Sequence, residues 1–268
     1  MSFRGIQVYS DHPVRDSAKI SGLSSNNAVE ADAPLARLID DRQTTLMQFS
    51  TAETDHHIDI DMGAGFTGQP DTIIIPAGHS LDGIVTGLWA DTFTPPTTFR
   101  TGATPSGDGV IKIEFTPGGP WRYWRVTFAT LGAHALGGII LATKKTFTSF
   151  NKVRDEDDFL QHSYTELARP SGVAPRVQNG IPRRVLNPVF EHALSGANLV
   201  TANSWVDDVG MHRPFWMDPQ STSATPDVDD PVLQFKFVND PRRRWGAGGA
   251  SRGVDRKTFD FRMIQSVD

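Results

Sequence analysis

The chain has 268 residues, no cysteine and a formal net charge of −5. That length holds one large domain or two ordinary ones with a real core. The missing thiols exclude disulfides, thiolate metal centres and a cysteine nucleophile. No run approaches the roughly 18 apolar residues of a membrane helix, so no membrane insertion is expected. The first residues also lack the apolar stretch of a secretory signal, and synthesis in a cytoplasm is the resulting expectation. The excess of acid falls in the first 143 residues and the remainder is close to neutral, so neither half points to a nucleic-acid partner. The 24 Gly and 18 Pro favour short strands and frequent turns over long helices.

In chain order, residues 1–143 read as β-structure behind an N-terminal arm. Strands are expected at 57–62, 72–75, 110–115, 122–128 and 138–141, separated by turn clusters at 94–96, 105–109 and 117–120. Strands at this spacing without a helical period predict an antiparallel sandwich. Alternation places Ile111, Ile113 and Phe115 on one face, with Lys112 and Glu114 on the other. In the next strand Trp124, Val126 and Phe128 are the core set, opposite Tyr123, Arg125 and Thr127.

Residues 144–175 are polar and then rich in Pro and Gly, the composition of a linker or crossing segment. Residues 176–268 read as a small antiparallel β-domain with one flanking helix. The helix falls within 190–210, with Leu199, Ala202, Val206 and Val209 at helical spacing, Ser195 as cap and Gly210 as stop. Strands follow at 213–218, 232–238 and 258–264, the last two joined through the Gly-rich connection 242–249. The fold class is therefore mainly β: a sandwich followed by a smaller β-domain.

Four constellations carry candidate chemistry. His56, His57, Asp59 and Asp61 include metal-ligating types, but a His-x-Asp-x-Asp strand spreads its ligands over about 13 Å, too far for one small ion. The alternative is a strand with Ile58 and Ile60 buried and an acidic face in water or bound to turns. Asp40, Asp41 and Thr44 offer oxygens to Ca2+, or close an Asx-turn. Phe99, Trp121 and Tyr123 supply an aromatic platform for a sugar, or belong to core or interface. Arg242, Arg243 and Arg244 beside Trp245 suit a phosphate or carboxylate-rich partner, or lie on a solvated loop or a protein interface. No short catalytic motif or phosphate loop occurs, and no cofactor beyond the Ca2+ candidate is indicated. Adjacent carboxylates such as Asp229 and Asp230 point in different directions. No enzymatic activity is expected.

The order of LIDD at 38–41, TTLMQFS at 44–50, HIDIDMG at 57–63, TIIIPAGH at 72–79 and WRYWRVTF at 121–128 resembles the discoidin, or galactose-binding-like, jelly roll. The resemblance covers roughly residues 25–142. Asp41 stands where the family has Gly, Leu46 and Met47 where a Trp is common, and the family's two cysteines are absent. The stretch from Ile74 to Gly83 is similar to jelly-roll modules of tailed-phage tail and baseplate proteins, and residues 205–218 resemble a pattern in phage tail-tip proteins. That likeness implies a structural component of a virion tail tip or baseplate. Its C-terminal domain would join a ring of its own copies beside tail-tube and hub proteins, and its jelly roll would face outward. The alternative is a carbohydrate-binding module for a cell-surface glycan, and a glycan hydrolase is the third reading.

Overall fold

The computed structural model describes residues 7–10, 21–39, 45–81, 86–90, 97–101, 109–117, 119–128 and 132–146, and, beyond these, short strands and a helix between 151 and 265. For 86–90, 97–101 and most strands after 146 the description is of the backbone. The chain divides into two compact units. The first is Tyr9–Lys144; the second joins Met1–Val8 to Lys145–Val267.

The strands of the first half are β1 (Gln7–Ser10), β2 (Gly22–Ser25), β3 (Met47–Gln48), β4 (His56–Asp61), β5 (Thr72–Ile75) and β6 (Thr86–Ala90). They continue with β7 (Thr97–Thr101), β8 (Ile111–Glu114), β9 (Tyr123–Phe128), β10 (Ala135–Leu136) and β11 (Ile140–Thr146). In the first unit one sheet runs β2-β4-β9-β6-β7, and β11, β5 and β8 are neighbours in another; β3 and β10 form a short ladder. These ladders are antiparallel. The strands expected at 57–62, 72–75, 110–115 and 122–128 form within a residue of those bounds. The strand expected at 138–141 begins later and runs on to Thr146. Strands β2, β6 and β7 were not expected, because GLSS, TGLWA and TTFRT show neither clear alternation nor a β-branched apolar run.

The core follows from the pleat. On β4, His56, Ile58 and Ile60 point inward; on β9, Trp124, Val126 and Phe128 do. The register pairs Ile58 with Val126 and Ile60 with Trp124, so large inner residues meet directly across the ladder. Ile73, Ile75, Ile111, Ile113 and Leu141 close the same cluster from the other sheet. Trp124 satisfies its indole N–H by donating to the Trp121 carbonyl at 2.8 Å. Strand β5 is buried on both faces, as its unbroken apolar run requires. Beside it, Glu114 accepts hydrogen bonds from Lys144 Nζ at 2.7 Å and the Tyr9 hydroxyl at 3.3 Å. Burial alone would push the Glu114 carboxyl up. The hydrogen bond and charge of Lys144, with help from Lys112 and Tyr9, outweigh it and hold the group below the usual carboxylate range.

The second unit contains β12 (Asn151–Lys152), β13 (Asp158–Gln161), β14 (Tyr164–Glu166), β15 (Arg176–Gln178), β16 (Arg183–Leu186) and β17 (Val189–Phe190). After helix α1 (Ala197–Val209) come β18 (Phe215–Asp218), β19 (Leu233–Phe237), β20 (Arg242–Trp245), β21 (Lys257–Asp260) and β22 (Met263–Gln265). One sequence expectation gains detail and two need correction. The stretch expected as a linker or crossing, 144–175, contains short strands: β12, β13 and β14 pair with β17, β16 and β15. Residues 258–264 are not one strand but two, β21 pairing β20 and β22 pairing β19 in a different sheet. Arg242, Arg243, Arg244 and Trp245 do not lie on a loop; they form β20, with Arg242 opposite Asp260 and Arg244 opposite Thr258. β20 is an edge strand paired to β21, which composition alone did not reveal.

Helix α1 buries Ala202, Trp205 and Val209, a stripe at i, i+3 and i+7. Trp205 packs edge-on against Phe215 at 5.1 Å and tilted on Phe237 at 5.3 Å, joining helix to sheet. Lys145 donates to Ser204 Oγ at 2.8 Å and pairs with Asp208 on the same helix. The expected cap Ser195 and stop Gly210 lie outside the described residues.

Replacing Trp124 with Ala is expected to destabilise the protein by about 3–5 kcal/mol, read from denaturant unfolding; a near-wild-type midpoint would show the residue is not in the core. Glu114→Gln is expected to lower the melting temperature at pH 7. A carboxylate held below its ordinary value contributes stability above the unfolded value of about 4.3 and loses it as pH falls through the folded one. The gap between variant and wild type should therefore close in acid; a gap independent of pH would refute the ion-pair account.

Candidate functional site

The outer face of the β4–β9 pair carries the polar half of the alternation. His57 lies opposite Thr127, Asp59 opposite Arg125 and Asp61 opposite Tyr123. Two bidentate pairs result. Asp59 accepts from Arg125 Nε at 2.6 Å and Nη2 at 2.8 Å. Asp61 accepts from Arg122 Nε and Nη2, both at 2.7 Å. The face expected in water or bound to turns is a paired ladder in which Asp61 also binds its turn, with His57 3.7 Å from Asp59 and 3.9 Å from Asp55.

The two pairs differ in access, and access separates structure from candidate site. The Asp59 and Arg125 side chains are 13% and 19% exposed. Those of Asp61 and Arg122 are 22% and 42% exposed. The first pair is fixed inside the ladder. The second stands at its rim, where the Arg122 guanidinium also lies over the Tyr123 ring, 4.7 Å from its centroid. The Asp61 carboxyl is held below its usual range, chiefly by the hydrogen bond from Arg122 and further by the Gly63 N–H, against a smaller effect of burial. Arg122 and Arg125 are raised mainly by hydrogen bonds to Asp61 and Asp59. Burial, reinforced by Arg125, lowers His57 despite Asp59 and Asp55.

The Asp-x-Gly that ends β4 has a mechanical role. Gly63 donates its N–H to Asp61 Oδ1 at 2.8 Å and adopts φ +85°, a turn only glycine enters without strain. A Cβ there would lie 2.6 Å from Ser21 Oγ. One carboxylate therefore closes the turn and holds the arginine fork.

Of the three aromatics expected as a platform, two can be placed by their side chains. Trp121 packs against the inner cluster, whereas Tyr123 starts the outer face of β9. Phe99 is on β7, and β6 lies between β7 and β9 in the sheet; its side chain is outside the description. Asp40, Asp41 and Thr44, the Ca2+ candidates, lie outside the described residues. The side chains of Arg242, Arg243, Arg244 and Trp245 are likewise not described. Among the described residues no group of three His, Asp or Glu side chains is arranged to hold a metal. Asp59 and Asp61 are committed to guanidinium groups.

Sequence reasoning overlooked Arg122 as a site residue; it weighed His56 only as a metal-ligating type, and it overlooked His79 and His134 at the opposite end of β4 from Asp61. His56 stacks on Phe49 with ring centroids 3.9 Å apart and lies edge-on to His134. Its Nε2 donates to the Gly132 carbonyl at 2.7 Å, and its Nδ1 accepts from Asn27 Nδ2 at 3.0 Å. His79 donates from Nε2 to the Gly109 carbonyl at 2.7 Å and accepts the Leu81 N–H at 3.2 Å. All three rings are buried, so they tie loops together instead of meeting a ligand.

No protein-family model matches the sequence, and no curated protein matches it. Solved structures similar in part include the CBM32-1 and CBM32-2 domains of Clostridium perfringens ZmpB in complex with GalNAc, with TM-score 0.43 and 16% identity over 50% of this chain. This chain spans 35% of the length of that one. Another is the family 32 CBM of C. perfringens NanJ in complex with galactose, with TM-score 0.41 and 14% identity, covering 51% of this chain and 98% of that one. A third is chitosan-binding module 1 from a Paenibacillus sp. IK-5 chitosanase/glucanase, with TM-score 0.39 and 16% identity, covering 49% and 98%.

Gly63→Ala is expected to cost about 1–2 kcal/mol through the left-handed backbone alone, plus the clash with Ser21. In a Ser21→Ala background part of that loss should return, as measured by denaturant unfolding. Full tolerance of Gly63→Ala would refute the turn.

Proposed function

We propose that residues 9–144 form a carbohydrate-binding module whose ligand rests on Arg122, Asp61 and Tyr123. The observation that carries this reading is the exposed, bidentate Arg122–Asp61 pair set against an aromatic ring at the rim of a sheet. A guanidinium has five N–H donors in a fixed plane, and Asp61 engages two of Arg122's. The others are available to the hydroxyl oxygens of a sugar. The carboxylate offers acceptors to hydroxyl protons, and the Tyr123 ring gives an apolar surface for the C–H face of a pyranose. A few fixed polar groups beside an aromatic surface are what orient a small polar ligand.

The tail-tip role implied by residues 205–218 draws on the sequence resemblance alone. In the structure that segment builds the end of α1 and strand β18, and its aromatics Trp205 and Phe215 are committed to packing the two together. Adhesion to a cell-surface glycan within a larger particle would unite the two readings, and no hydrolytic step is assigned to the site.

Binding is to be measured on a glycan array and then by titration of the hits with the full-length chain. Arg122→Met and Tyr123→Ala are each expected to weaken binding about tenfold or more, since hydrogen bonds to charged groups contribute roughly 1.5–3 kcal/mol. An array with no saccharide bound, or hits unaffected by both substitutions, would defeat the proposal.

A further inference from the structure

We infer that the Asp61–Arg122–Tyr123 site selects uncharged saccharides, and that Asp61 is the residue that sets this preference. The inference rests on the carbohydrate-binding reading and adds the ligand class. Across the described outer face of β4 and β9 each guanidinium already has its own carboxylate: Arg122 has Asp61 and Arg125 has Asp59, both bidentate. On the outer face of β4, His57 lies 3.7 Å from Asp59, and burial, reinforced by Arg125, lowers its pKa.

An acidic sugar approaching Arg122 therefore meets a cation whose charge is already matched. Its carboxylate or sulfate would have to displace Asp61 or lie beside it, and Asp55, 77% exposed, adds a second negative group at the other end of β4. Like charges set side by side are a strong means of rejecting a wrong partner. A neutral sugar avoids this conflict. Its hydroxyls use the unengaged N–H donors of Arg122 and the lone pairs of Asp61 together, leaving the pair intact.

Asp61 also permits a clean substitution. Asp61→Asn keeps an Oδ1 that accepts the Gly63 N–H, so the turn persists, but it removes the charge that balances Arg122. The variant leaves a fork-shaped cation at the rim, the geometry that grips a carboxylate.

The test compares lactose with 3′-sialyllactose, the same disaccharide without and with a carboxylate, titrated against the full-length chain. Wild type is expected to bind lactose about tenfold or more tightly than the sialylated form, with little dependence on salt. Asp61→Asn is expected to erase or reverse that ratio, with the gain for the sialylated sugar falling as salt rises. Arg122→Gln is expected to lose lactose binding without gaining the acidic ligand, and a cooperative denaturant-unfolding transition in that variant separates the charge effect from a folding defect. Preference of wild type for 3′-sialyllactose, or an unchanged ratio in folded Asp61→Asn, would overturn the inference while leaving the carbohydrate reading standing. Binding of neither sugar by a chain that also gives no array hit would overturn both.

Discussion

The ladder between β4 and β9 is the constraint on which the rest of the first unit depends. A single antiparallel register decides two things at once, because neighbouring residues on a strand face opposite ways. Inward, it sets Ile60 against Trp124 and Ile58 against Val126. Outward, it sets Asp59 against Arg125 and brings Asp61 to the start of β9 beside Arg122. A slip of β4 by one residue would exchange its faces, burying Asp59 and Asp61 and exposing Ile58 and Ile60. Core and candidate site are thus two readings of the same pairing. The buried face supplies the stability, and the outer face inherits its geometry.

The ends of the sandwich are held by different chemistry. At one end a carboxylate, a positive-φ glycine and an exposed arginine form a corner with charge on the surface. At the other, three buried imidazoles donate to the Gly132, Gly109 and Ser80 carbonyls, and the second nitrogens of His56 and His79 accept from the Asn27 side chain and the Leu81 N–H. Imidazole suits this because one ring nitrogen donates while the other accepts. The first arrangement leaves donors for a ligand. The second uses its polar atoms on the protein itself.

Much of the sandwich was legible because alternation is a local signal. HIDID and YWRVTF each announce a strand and its buried face. The ion pairs were not legible, because Asp61 and Arg122 are 61 residues apart and only the register makes them neighbours. The same limit applies to Trp121 and Tyr123: they are two positions apart in sequence, yet one packs against the core and the other starts the outer face. Arg242, Arg243 and Arg244 misled for another reason. Charge and a following Gly-rich run suggest a solvated loop, whereas the backbone hydrogen bonds of a hairpin are indifferent to side-chain charge. Trp205, absent from the expected helical stripe, falls between Ala202 and Val209 on it. Its burial is a matter of helical phase that the sparse apolar residues of α1 signal only faintly.

The hydrogen bond from Tyr9 to Glu114 spans 105 residues, and this has a consequence for the order in which the molecule is made. Its carboxylate is also bound by Lys144, at the far end of the first unit. A growing chain cannot complete this cluster until β11 has emerged, even though Tyr9 is made well before it. Contacts of such long sequence separation demand costly loop closure and come late in folding. Until then Ile73, Ile74 and Ile75 have no strand β11 beside them. The nascent protein passes through an interval with an apolar β-edge uncovered, and the speed of that last closure sets how long it is open to association with other chains.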